Sequence, residues 1–197
     1  MKDIVASVVV DLTPTENEII ASFEKQGRWG IHRAIREGLV IEQSNDWDSI
    51  YDLYRQTMID GGASCSSIEQ LKDKTIVLFV CKKNEKIIAG ASLEMGENGM
   101  TLQTNFSIRE FNIMQPNNLL YWECIKWAKS NGQKTLDFGG FQINPRDHLI
   151  GVNNFKERFG KVTYFYKDYP FFRAIGRKLI RNIGFFWWLN KKIRGRK

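Results

Sequence analysis

The sequence predicts an α/β (α+β) fold, a single domain with a mixed, mainly antiparallel central sheet flanked by helices. Three observations predict it. Three apolar runs follow one another across short turns at residues 76–82, 86–94 and 100–106, the order of an antiparallel meander. A long amphipathic helical pattern then occupies residues 116–131. Last come a buried strand at 135–138, a glycine turn and short helix ending at Gly160, and a strand at 161–166.

Taken in order, residues 4–10 are β-branched and form a first strand. Asp11-Leu12-Thr13-Pro14-Thr15 breaks it. Thr13 reads as an N-cap, with Pro14 first in the helix and Glu16 third, as in a capping box. That helix runs to about residue 25. Gly27 interrupts, and a second helix over 28–37 presents Ile31, Ala34 and Ile35 until Gly38 ends it. A short strand at 39–42 follows. Asp46 caps a third helix over 47–59, with Ile50, Leu53, Tyr54 and Thr57 at helical spacing. Gly61 to Ser64 is a loop, and residues 67–72 are a short helix. The meander turns at Lys83-Asn84-Glu85 and Gly96-Glu97-Asn98-Gly99. In the 116–131 helix, Leu119, Leu120, Trp122, Cys124, Ile125, Trp127 and Ala128 are apolar, and Gly132 stands past its end. The expected organisation is one domain over 1–168, with 1–45 as its opening strand and helices, and a basic amphipathic tail over 169–197.

At 197 residues the chain can bury one good-sized core. Its net charge of +7 is uneven: residues 171–197 hold nine Lys or Arg and no acid, so the preceding residues carry −2. The basic character belongs to the tail, which argues against reading the whole protein as a nucleic-acid binder. Cys65, Cys81 and Cys124 are odd in number and lack CxxC spacing, against a zinc site or a disulfide framework. No apolar run approaches the ~20 residues that span a bilayer. The expectation is a cytoplasmic protein that can sit peripherally on the inner face of the cell membrane.

The most informative stretch is Gly151 to Gly160, preceded by Asp137-Phe138-Gly139-Gly140. It places Lys156 between Phe155 and Phe159 beside a glycine-lined turn. A cation held there can stabilise developing negative charge; the plainer reading is a surface lysine on an amphipathic turn, with both phenylalanines in the core. Asp137 can orient an amine or a donor, or be pinned by the N–H groups of the Gly139-Gly140 turn. Gly139, Gly140 and Phe155 are candidate substrate contacts, against plain roles in tight backbone geometry and packing. Arg33, in a helix with Arg28, His32 and Arg36, is a candidate phosphate contact, against a solvated basic face. Glu94 and Glu123 are candidate bases with solvent as the default. His32 and His148 lie far apart, without a Ser or Cys elbow, which speaks against a triad or a metal site. In the tail, Phe172, Ile175, Leu179, Ile183 and Phe186 recur at helical spacing. Arg177, Arg181, Trp187 and Trp188 are candidate contacts to an anionic membrane; packing on the body or a grip on tRNA phosphates are the alternatives.

The order of elements resembles the GNAT acyltransferase superfamily, and several words resemble its Fem branch of peptidoglycan-bridge aminoacyltransferases and single-domain acetyltransferase relatives. They are Val10-Asp11-Leu12 with Arg28, Ile31, Arg33-Ala34, Glu37-Gly38 and Val40; the Tyr51 to Thr57 helix; Pro116-Asn117-Asn118-Leu119-Leu120-Tyr121-Trp122-Glu123 with Ile125, Trp127-Ala128 and Gly132; Asp137-Phe138-Gly139-Gly140; and Gly151-Val152 with Phe155-Lys156 and Phe159-Gly160. The likeness extends to the second domain of two-domain members and its opening segment. No Gln/Arg-x-x-Gly-x-Gly/Ala loop, the pyrophosphate grip of acetyl-CoA-using relatives, is present; residues 112–118 stand there instead. The resemblance implies that Lys156 lines an acyl-donor cavity and steadies the tetrahedral oxyanion. It implies transfer of an acetyl or aminoacyl group to an amine of a cell-envelope precursor, peptidoglycan or surface polysaccharide, that can be lipid-linked. Acetyl-CoA or aminoacyl-tRNA would be the co-substrate, with no permanently bound cofactor. The alternative is a non-catalytic GNAT-like module that binds a membrane or a partner.

Overall fold

A computed structural model describes residues 2–96, 99–145 and 147–168. Seven strands form one sheet in the order β2-β3-β4-β5-β6-β1-β7. The strands are β1 (Lys2–Asp11), β2 (Val40–Ser44), β3 (Ile76–Lys83), β4 (Lys86–Gly96), β5 (Gly99–Ser107), β6 (Thr135–Phe141) and β7 (Lys161–Asp168). Every neighbouring pair is antiparallel except β5 and β6. That exception follows from α5 (Pro116–Ser130), a crossover helix long enough to return the chain to the same end of the sheet.

Helices cover both faces. On one, α1 (Glu16–Ser22), α2 (Lys25–Arg36) and α5 pack over Val8, Val10, Phe79, Ala91, Leu93, Met100, Leu102, Leu136 and Phe138. On the other, α3 (Tyr51–Asp60) and α4 (Ile68–Leu71) close a smaller core of Trp47, Tyr54, Leu78, Val80 and Phe106. Met100 and Leu102 lie in the first core and Phe106 in the second, although all are even-numbered residues of β5. The cause is a bulge: Leu93 pairs Leu102 while Ser92 pairs Thr104, so Gln103 is the extra residue and the faces exchange beyond it.

Several expected boundaries move. Thr15, not Thr13, caps α1; its hydroxyl accepts from Glu18 N while Glu18 receives the Thr15 N–H at 2.8 Å. Thr13 is held instead by Asp11, whose carboxylate accepts from its backbone N at 2.9 Å. Gly27 does not interrupt a helix. It lies inside α2, where its bare face lets the Arg158 backbone come close; Gly30 does the same for α5, since a Cβ there would stand 2.2 Å from Asn118 Nδ2. Asp46 caps a turn through Ser49 N at 3.1 Å, and α3 begins only at Tyr51. Gly139 and Gly140 form no turn; they belong to β6. The helix bearing Lys156, α6 (Asp147–Glu157), starts four residues before Gly151. The tail, with Arg177, Arg181, Trp187 and Trp188, lies outside the described residues.

Candidate functional site

The site forms where the sheet stops pairing. β5 and β6 are matched only at Met100↔Leu136 and Thr101↔Asp137, although both strands continue beyond. A second bulge ends the match. Ser7 pairs Gly140 and Val9 pairs Asp137, so Phe138 and Gly139 together oppose Val8. Gly139 has φ of +73°, and a Cβ there would lie 3.2 Å from Leu102 O. Both the left-handed backbone and the close approach call for glycine.

The bulge is held from within. Asp137 Oδ1 accepts from Gly139 N at 2.7 Å. Ser7, on β1 and only 2% exposed, places its hydroxyl against Asp137 Oδ1 and 2.9 Å from Gly139 O. Sequence reasoning missed Ser7, because its partners lie 130 residues away and it sits in an ordinary β-branched run.

Lys156 reaches the bulge from α6. Its Nζ donates to Gly139 O at 3.3 Å and to Gly140 O at 3.1 Å. Burial lowers its pKa below the usual lysine value, while the nearby Asp137 carboxylate opposes that shift and favours the cation. An ammonium has three N–H donors, so two carbonyls leave one for a ligand.

α6 is positioned by packing and by one amide. Phe159 is fully buried and Phe155 half-buried, in a cluster with Tyr121 and Phe138; Tyr121 lies 5.0 Å from Phe155 and 5.4 Å from Phe159 between ring centroids. Asn153, also buried, accepts from Gln142 N at 3.1 Å and donates to Gln142 O at 2.9 Å. This two-point clasp fixes α6 to the end of β6. It was not legible beforehand, since an Asn beside Asn154 in a polar run reads as surface.

The other candidates are placed elsewhere. Phe155 packs on Tyr121, with the Arg158 guanidinium over its outer face at 5.7 Å. Arg33 forms an ion pair with Glu37 at 2.6 Å along α2, and Arg28 caps the end of α1 by donating to Ala21 O and Phe23 O. Glu123 pairs with Lys126 at 2.8 Å, and Glu94 accepts from Gln103. Burial pushes the Cys81 thiol up to about 12 and Cys124 higher still, so neither is poised as a thiolate nucleophile. Among the described residues, no three His, Cys, Asp or Glu side chains gather as a metal site needs. Nor is any described helix long and apolar enough to cross a membrane.

Where a phosphate-gripping loop would stand, the structure has a 3-10 helix (Arg109–Met114), then Gln115 at φ of +60° before α5. An amide network ties this corner to β5. Asn105 donates to Asn117 at 3.2 Å, Asn117 to Ser107 at 3.4 Å, and Ser107 to Asn112 at 3.0 Å.

Against known proteins, residues 66–157 match the family described as acetyltransferase (GNAT) domain. Among solved structures, FemX superposes with a TM-score of 0.70 at 16% identity, over 82% of this chain and 61% of its own. L-PGS from Bacillus licheniformis gives 0.55 at 15% identity, over 88% and 64%. An aminoglycoside acetyltransferase from an uncultured soil metagenomic sample, in complex with sisomicin, gives 0.51 at 15% identity, over 69% and 99%. The chain thus spans under two thirds of the length of FemX and of L-PGS. No sequence among the curated proteins matches it.

Proposed function

We propose that this chain, a GNAT domain of Fem-like fold, is an N-acyltransferase that moves an acetyl or aminoacyl group onto an amine of a cell-envelope precursor. One observation carries the reading: Lys156 is held by two bulge carbonyls at the point where β5 and β6 cease to pair. Strand edges without a partner accept an extended, amide-bearing chain by main-chain hydrogen bonds. A donor laid there brings its carbonyl towards the remaining Lys156 N–H.

In the proposed reaction the neutral amine attacks the donor carbonyl carbon. A C–N bond forms, and the carbonyl π electrons move to oxygen. Lys156 stabilises that oxyanion, a contribution of the order of 3 kcal/mol for one well-placed donor. The intermediate collapses as the donor's thiolate or ribose oxygen leaves and takes up a proton; the amine nitrogen loses one to water. No covalent enzyme intermediate is required. Asp137 keeps Lys156 cationic and, with Ser7, holds the bulge that presents the Gly139 and Gly140 carbonyls. Acetyl-CoA and aminoacyl-tRNA both offer the activated carbonyl this chemistry uses. Arg177, Arg181, Trp187 and Trp188 would bring the enzyme to a lipid-linked acceptor; that part rests on their sequence pattern.

The amide network before α5 favours a second reading, a non-catalytic module that binds a membrane or a partner, because its side chains are already satisfied by one another. Thermal-shift titration with acetyl-CoA, longer acyl-CoAs and a non-hydrolysable aminoacyl-tRNA analogue separates the two. A donor that raises the melting temperature of the parent supports the enzyme. No response to any donor overturns it.

A further inference from the structure

We propose that the outer ridge of α2 is a second contact surface, shaped for an anionic lipid bilayer. The inner face of α2 carries Gly27, Gly30, Ile31 and Ala34, all buried. At 100° per residue, Lys25, Trp29, His32 and Arg36 fall within about 60° of one another on the opposite side. All four are exposed, Trp29 to 51%. Trp29 has no aromatic or cation–π partner among the described residues. Residues 25–36 contain no acid. The two remaining arginines of the helix are turned to protein: Arg28 to the α1 carbonyls and Arg33 to Glu37. The ridge is therefore an indole flanked by Lys25, His32 and Arg36. It stands out because the chain's net positive charge comes from residues 171–197, the preceding residues summing to −2.

An indole between cations suits the headgroup level of a membrane, where an apolar ring with one N–H meets anionic phosphates. Shape selects the lipid over RNA. The ridge is a convex line about 16 Å long, from the helical rise. A convex line meets a plane, whereas single-stranded nucleic acid is held in concave grooves lined by stacking rings. The 3-10 helix packs beside α2, and its Ile113 is 70% exposed. Charge complementarity commits the occupant to an anionic, not a zwitterionic, surface.

The test uses the full chain and vesicles of phosphatidylcholine with 20 mol% phosphatidylglycerol, at a lipid concentration that binds about half of the parent. Lys25→Gln/Arg36→Gln removes two cations and should lower the partition coefficient about 30-fold, at ~1 kcal/mol per cation near the surface. Trp29→Gln leaves the charge unchanged and should lower it about 10-fold, which general electrostatics does not predict. Lys72→Gln, at a cation paired with Asp48 away from the ridge, serves as the control and should stay within twofold. Circular dichroism melts establish that the substitutions, all at exposed positions, leave the fold intact. Binding of the double variant and of Trp29→Gln within twofold of the parent overturns the proposal. So does an effect confined to polyuridylate binding, which would make the ridge a nucleic-acid surface.

Discussion

Replacing Lys156 by Met tests the site most directly. The change keeps length and apolar volume and removes only the ammonium. It deletes the bonds to Gly139 O at 3.3 Å and Gly140 O at 3.1 Å and the one donor left for a ligand. If that donor stabilises the oxyanion, kcat should fall 10²- to 10³-fold, or ~3–4 kcal/mol, with KM little changed. The fold should survive, because the lost charge is one that burial disfavours. The working form is the cation, and its pKa lies below the ordinary lysine value. Parent kcat should therefore decline as pH rises through that lowered value, and the decline should be absent in the Met variant. The stability sign is opposite. Between the folded pKa and the unfolded value of 10.5 the unfolded chain binds more protons, so this group's contribution to stability rises with pH. Its handicap is complete below the folded pKa and is gone above 10.5. The assay is steady-state transfer with whichever donor shifts the melt, followed across alkaline pH. A Met variant that keeps kcat within threefold at an unchanged melting temperature, or keeps the alkaline decline, refutes the assignment.

Ser7→Ala removes the hydroxyl lodged between Asp137 and Gly139 O, and should cost about 1–2 kcal/mol in urea unfolding. It should also lower kcat more than it raises KM, since it acts through the position of the bulge; an effect on stability alone would make Ser7 purely structural. Gly139→Ala forces φ of +73° on an L-residue and sets its Cβ 3.2 Å from Leu102 O. The expected loss is at least ~1–2 kcal/mol in the same unfolding experiment, and an unchanged midpoint would show that the bulge is not as described.

What the sequence revealed was local and periodic. The meander, the α5 pattern with Gly132 behind it and the strand after α6 are each written in a window of a few residues, by alternation, helical spacing and turn chemistry. The errors arose where two local signals competed. Thr13-Pro14 and Thr15-x-x-Glu18 both spell a helix start, and the second prevails because Asp11 already engages Thr13. Gly27 reads as a breaker until Arg158 and Phe159 are seen to need its missing Cβ. Lys156 was legible as a residue type beside glycines. Its partners were not, for the carbonyls it binds are presented by a bulge whose register depends on β1, more than 120 residues earlier.

Bulges account for most of what sequence alone could not show, and they also account for the site. Along β5, strict alternation would send Met100, Leu102, Thr104 and Phe106 to one face; the extra residue at Gln103 sends the last two to the other. The bulge in β6 does the same to its neighbour, two residues after the last matched pair. Two strands that change face near the same level cannot continue one parallel ladder. The end of pairing between them is thus a consequence of two local insertions rather than of a loop. Strand edges left unpaired this way offer main-chain amides, which in the proposed reaction would hold an extended donor without regard to its side chains. Lys156, with Asp137 beside it, stands at the apex where pairing ends; in the proposed reaction it recognises charge on oxygen and nothing else about the substrate. Selectivity for the acceptor must then come from side chains outside the apex, and loss of Lys156 should slow transfer to every acceptor by a similar factor. A Lys156→Met variant that merely changed which amines were acylated, at undiminished rate, would contradict the division of labour the sheet imposes.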